Sequence, residues 1–215
     1  MITNILSQAL TLLAWLIALV WFWKAISTAF GLRHIPDITE PQHNLTPLGN
    51  PSISVIVPAR NESSKVAACL QSLIDQQHPS LHIIAVDDRS TDTTGAIMNT
   101  LALQHPGQLN VLHITELPTG WLGKTHAMAS AARHAIAIHK PDYLLFTDGD
   151  VLFRPDALRL ALAHAVATRA DHLTVLPTTL MNPQAKVCFS LIFTFWGSWP
   201  YVHGESPIPK PSATP

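Results

Sequence analysis

Between residues 52 and 178 the chain repeats one unit: a short run rich in β-branched residues, then a segment of helical period. "SISVIVPA" (52–59), "LHIIAVDD" (81–88), "NVLHI" (110–114), "DYLLFTDGD" (142–150) and "HLTVLPT" (172–178) read as strands, short and apolar enough to be buried. Between the first two, Val66, Cys69, Leu70, Leu73 and Ile74 recur at spacings of three and four, the mark of one helix face. "TDTTGAIMNTLALQ" (91–104) and the Ala-rich stretch 123–139 make two further helices, and "RPDALRLALAHAVAT" (154–168) a fourth, with Pro155 near its first turn. Strands alternating with helices through short connections predict an α/β fold, its sheet mostly parallel and wrapped on both faces. Ligands of such sheets bind beyond the carboxyl ends of the strands. That rule directs attention to Pro58–Glu62, to Asp87 and Asp88, and to Asp148–Asp150.

Asp148 and Asp150 flank a single glycine at the end of an apolar run. Two carboxylates so placed can reach a hard divalent cation and a sugar hydroxyl. The plainer alternative is an Asp-Gly turn, since turns favour both residues. Company favours a site: "VDDRSTD" sets acids at a second strand end, and "VPARNES" sets Arg60, Asn61 and Glu62 at a third. "LPTGWLGKTHAM" (117–128) offers a competing reading, because Gly-Lys-Thr ends a Walker A loop. Such a loop needs a further glycine separated from Gly-Lys by four residues, and that position holds Pro118, which has a fixed φ and no N–H for a phosphate. The element also follows the third strand rather than the first, and no GxGxxG fingerprint is present. A P-loop-like phosphohydrolase therefore stands only as the alternative.

Ahead of this region, Ile5–Trp23 is nineteen residues without a charge, ~28 Å as a helix. That length crosses a hydrocarbon core, and Trp21, Trp23, Lys24 and Arg33 suit an interfacial belt. Cations on the C-terminal flank alone predict a single-pass anchor in the inner membrane with the remainder cytoplasmic. A cleaved signal peptide is the alternative, with "STA" (27–29) as its cleavage site. Residues 1–33 are thus read as anchor and flank, 34–51 with four prolines as a linker, and 52–186 as the globular domain. Residues 187–203, "VCFSLIFTFWGSWPYVH", suit either an interfacial helix or a core helix awaiting a partner. The Pro-rich tail 204–215 is expected to be disordered. A formal charge of −1 with 13% charged residues gives no basic surface for nucleic acid. Cys69 and Cys188 form no CxxC pair, Cys69 falling on an apolar helix face, and the twelve histidines make no HxH or HExxH motif.

"SVIVPARNES", "VDDRSTDTT", "GWLGKTHAM" and "FTDGDVLFRPDAL", in that order and spacing, resemble the family-2 glycosyltransferases of GT-A type over about residues 52–180. "GWLGK" and the N-terminal anchor look most like membrane-bound members associated with hopanoid and carotenoid glycosylation. The resemblance implies a GT-A, Rossmann-like sheet and a nucleotide-sugar donor, UDP-linked, wrapped by Pro58, Ala59, Arg60 and Glu62. It implies that Asp88 receives the uracil edge, a carboxylate suiting a ring N–H. Asp148 would face the ribose or donor sugar, and Asp150 would hold Mg2+ or Mn2+ against the diphosphate. Lys124 would be a point cation near the diphosphate or donor pocket, the alternative being a solvated lysine at a helix start.

The reaction implied is inverting transfer to an acceptor hydroxyl, lipid-borne and met at the bilayer, which needs a general base. The family's base, in an "ED"-type motif after the DxD, has no counterpart here, nor has its Q-x-x-R-W segment. Asp156, Asp171 and Glu205 are the only acids after Asp150. The expectation is therefore a chain that stops before the acceptor half and turns over poorly, or a non-catalytic donor-binding remnant.

Overall fold

The computed structural model describes residues 2–32, 35–41 and 45–175, so the segments 187–203 and 204–215 lie outside the described residues. The chain divides into two units, one containing helix α1 (Ile2–Leu32) and the other spanning Asp37–Val175. The stretch Asn4–Gly31 of α1 is long and apolar enough to cross a membrane. The helix runs past the uncharged core and through Lys24.

The second unit alternates as its sequence pattern requires. Strand β1 (Ile53–Ala59) leads to α2 (Val66–Ile74), β2 (Leu81–Asp88) to α3 (Thr94–Gln104), β3 (Leu109–Ile114) to α4 (Gly123–Ile138), and β4 (Tyr143–Phe146) to α5 (Ala157–Thr168). All pairings are parallel and the strand order is β3-β2-β1-β4. Every residue of β1 is buried, as its continuous apolar run predicts for a central parallel strand. Ile56, Ile84 and Val86 pack on one face against Ala127, Ala131 and Ala135 of α4, small residues at a spacing of four that let the helix lie close. Val55, Val57, Ile83 and Ala85 face the other way, against Val66, Leu70 and Leu73 of α2, Met98 of α3, and Leu158 and Leu162 of α5.

Four expected boundaries move by more than one residue, the simplest being α5, which starts at Ala157 rather than 154, so that Pro155 precedes the helix. The strand expected over 142–150 is paired only at Tyr143–Phe146, so the DxD stands beyond the strand in a turn. Helix α3 starts at Thr94 rather than 91 because the Asp92 carboxylate accepts the Thr94 N–H at 2.9 Å, an Asx turn that holds the preceding residues out of the helix. The expected fifth strand is not formed in its described part: residues 172–175 pair with no described strand, and 176–178 lie outside the described residues. A strand-forming composition makes a strand only where a ladder partner is present. In the stretch expected as a linker, the Leu45 carbonyl accepts a 2.7 Å hydrogen bond from Arg159 of α5 and Pro47 is buried.

Candidate active site

The strand order reverses at β1, with β2 and β3 on one side and β4 on the other. The crossover helices accordingly lie on opposite faces, which opens a crevice beyond the carboxyl ends of β1 and β4. β1 continues past the last β4 residue it pairs with, Phe146 opposite Ile56. Pro58, with no N–H to offer a ladder, sits where that neighbour has ended. Pro58 and Ala59 are buried and form the floor under the DxD turn. A Cβ at Gly149 would stand 3.0 Å from the Ala59 Cβ and 3.7 Å from the Pro58 carbonyl oxygen, so the turn reaches β1 because the residue between the acids is glycine.

Asp148 and Asp150 are both exposed, and each carboxylate meets a lysine from another element. Lys124, in the first turn of α4, donates to Asp148 Oδ1. Lys65, which caps α2, donates to Asp150 Oδ2 at 3.2 Å. Below them the Cys69 thiol donates to the Asp148 carbonyl at 3.6 Å, and burial pushes its pKa up to about 11, so it stays a neutral thiol. The buried structural role expected for Cys69 is what the fold shows, with a support of the acid turn added.

The loops after β1 and β2 are stitched to each other. The Asn61 carboxamide oxygen accepts the Thr91 N–H at 2.8 Å, and the Asn61 N–H donates to Ser90 Oγ at 3.2 Å. The Glu62 N–H donates to Thr94 Oγ1 at 2.8 Å, and the Ser63 N–H to Asp92 at 3.2 Å. Asp92 also accepts from the Thr94 hydroxyl, first among the bonds that hold its pKa down to about 2. Asn61 and Arg89 both take left-handed backbone, φ 55° and 58°, one in each loop. Arg60 and Glu62 stand beyond the strand end, Arg60 exposed, and their side chains make no ion pair among the described residues.

Asp88 is 5% exposed, and both its oxygens take the Arg89 guanidinium, at 2.8 and 3.2 Å, which raises the Arg89 pKa. Gly123 packs on this pair; a Cβ there would come 2.7 Å from Asp88 Oδ2. Asp87 turns away from the crevice, accepting from the Ser90 N–H at 3.1 Å and facing His113 Nδ1 at 3.0 Å. Lys124 meets Asp148, Gly123 packs on Asp88, and Pro58 and Ala59 contribute the floor, while Arg60 and Glu62 stand at the end of β1 with no bond to Asp148 or Asp150 among the described residues. Lys65 and Arg89 were not singled out by the sequence reading. Lys65 carries no local signal, because the acid it meets lies 85 residues away and only the fold brings the two together.

Gly-Lys-Thr does not form a phosphate loop. Pro118 opens a turn whose carbonyl accepts the Trp121 N–H at 3.2 Å, with Gly120 at φ 86°. The Thr125 hydroxyl donates back to the Leu122 carbonyl at 3.0 Å. Among the described residues no group of three or more His, Cys, Asp or Glu side chains could hold a metal on its own. The donor set is instead one or two hard, exposed carboxylates, which suits a divalent cation completing its shell with ligand phosphates.

A sequence model of glycosyl transferase family 2 matches residues 54–178. The chain is 33% identical over 108 residues to the 4,4'-diaponeurosporenoate glycosyltransferase of Staphylococcus aureus (strain bovine RF122 / ET3-1), covering 50% of this chain and 26% of that protein. The match therefore spans about a quarter of the curated relative's length. In structure the chain is similar to the mannosyltransferase PcManGT from Pyrobaculum calidifontis, solved in complex with GDP-Man and Mn2+, at a TM-score of 0.53. That similarity has 27% identity and covers 68% of this chain and 41% of the other.

Proposed function

The chain belongs to glycosyl transferase family 2, and from that premise we propose that its Asp37–Val175 unit receives a nucleoside diphosphate sugar, a UDP-sugar, for inverting transfer to an acceptor hydroxyl. The observation that carries this reading is the pair of exposed acids beside the reversal of strand order, each met by a lysine from another element. A P-loop hydrolase has no support in the turn geometry around Pro118.

Each residue then has a task. Arg60 and Glu62, standing beyond the end of β1, wrap the nucleotide. Asp88 accepts the base N–H, with Arg89 sharing that carboxylate. Asp148 accepts a hydroxyl of ribose or donor sugar, and Lys124 gives up part of its pairing with Asp148 to face the diphosphate. Asp150 would be the residue that holds Mg2+ or Mn2+, and such an ion would supply Lewis-acid neutralisation of the charge that leaves with the nucleotide. The Mn2+ in PcManGT supports this assignment.

The Staphylococcus relative, named for diaponeurosporenoate, supports an apolar, lipid-like acceptor here, and α1 supports anchorage in the inner membrane with the sheet on the cytoplasmic side. Calorimetric titration of the purified chain with UDP-glucose and with ATP, each with Mn2+, tests the reading. UDP-sugar binding that outcompetes ATP is expected; ATP binding without UDP-sugar binding would overturn it.

A further inference from the structure

Side chains of α2 and of the residues that flank it track the segment that follows β4. Gln76 donates to the Arg154 carbonyl at 2.6 Å and accepts the Leu158 N–H at 3.1 Å. Ser72 Oγ accepts the Phe153 N–H at 3.1 Å, and the Cys69 thiol donates to the Asp148 carbonyl. Lys65, the N-cap residue four before Cys69, is the charged member of this series. Its ammonium reaches Asp150 Oδ2.

We infer that Lys65 is a positioning residue that serves as the resident counter-cation of Asp150 and competes with the divalent ion for that carboxylate. The inference rests on the reading of Asp150 as the metal-holding acid. Both anchors are fixed. The Lys65 N–H donates to the Glu62 carbonyl at 2.9 Å, in a loop stitched to the one after β2. Asp150 lies between two backbone positions held by α2, Asp148 and Phe153. The pair itself is open to solvent, with the side chains 57% and 44% exposed, so it can separate without disturbing the core. An ammonium is a compact, hydrated charge on a flexible stem. It balances the Asp150 charge in the free site and swings toward the diphosphate when a stronger cation takes its place.

Without a diphosphate the two carboxylates alone hold Mn2+ only weakly; removing Lys65 deletes both the competing pair and a repelling charge, so this weak binding should tighten by about two- to fivefold, the range an exposed ion pair is worth. The measurement is Mn2+ binding to the purified full chain, read from the electron paramagnetic resonance signal of free Mn2+. Lys65→Met should show the tightening, Lys65→Arg should stay near the parent, and Asp150→Asn should lose the binding. Unchanged or weaker binding in Lys65→Met, with Asp150→Asn still abolishing it, overturns the inference and leaves the Asp150 assignment standing. Parent-like binding in Asp150→Asn overturns both.

Discussion

A methyl group added at Gly149 would stand 3.0 Å from the Ala59 Cβ, tighter than nine in ten such contacts, so Gly149→Ala must displace the acid turn or β1 by a few tenths of an ångström. Both neighbours are backbone or a short side chain with little room to give. The expected result is an intact fold with UDP-sugar affinity reduced about tenfold or more, measured by titration beside a far-UV spectrum that matches the parent. Unaltered affinity would show that the turn need not touch β1. Asp148 and Asp150 are legible in the sequence because two acids around a glycine after an apolar run form a local pattern. Arg89 is hidden by a different circumstance, since its side chain folds back on its own neighbour, Asp88, a choice that adjacency alone does not specify. Lys65 meets an acid 85 residues away, a pairing that only the closed sheet creates.

At the scale of elements, α2 acts through its polar face as much as its apolar one. Gln76 is 7% exposed and serves a carbonyl and an N–H of the segment leading into α5. Gln76→Leu leaves the Leu158 N–H without its described partner, while the Arg154 carbonyl keeps the Ala157 N–H, and should cost about 1–3 kcal/mol, read as a lower midpoint in chemical denaturation of the Asp37–Val175 unit within the full chain. The apolar spacing along α2 makes the helix and its buried face readable; its hydrogen-bond partners depend on tertiary structure and are not. Acidification should act on two further elements. His139, at the end of α4, stacks on His82 of β2 with ring centroids 4.0 Å apart. Burial, then the neighbouring histidines, hold its pKa below the ordinary 6.5, so its contribution is complete above 6.5 and is lost as pH falls below it. Asp92 is held down to about 2 from 3.8, so the stitch between the β1 and β2 loops is stabilising above about 4 and is lost from there toward 2. Stability measured against pH should therefore fall in two stages. His139→Gln should remove the upper stage, and an upper stage identical to the parent's would refute this origin.

For the whole molecule, the alternation of strand and helix is sufficient to reveal a parallel α/β sheet, because only one layered arrangement buries such strands on both faces. The sequence does not reveal where β4 stops or that residues 172–175 pair with no described strand, since ladder partners decide both. Helix α1 is legible from hydropathy alone, and its function is testable by itself: deleting residues 1–33 should move the protein from the membrane fraction to the soluble one. A membrane fraction that keeps the deleted form would assign anchorage elsewhere in the chain. The central claim is a nucleotide-sugar site completed by a metal on Asp150, and metal-dependent UDP binding tests it most directly. Titrated with UDP in Mn2+ and again in chelator, the parent chain should bind only with metal, and Asp150→Ala should bind in neither condition. Equal UDP binding by parent and Asp150→Ala, with and without Mn2+, would contradict the account.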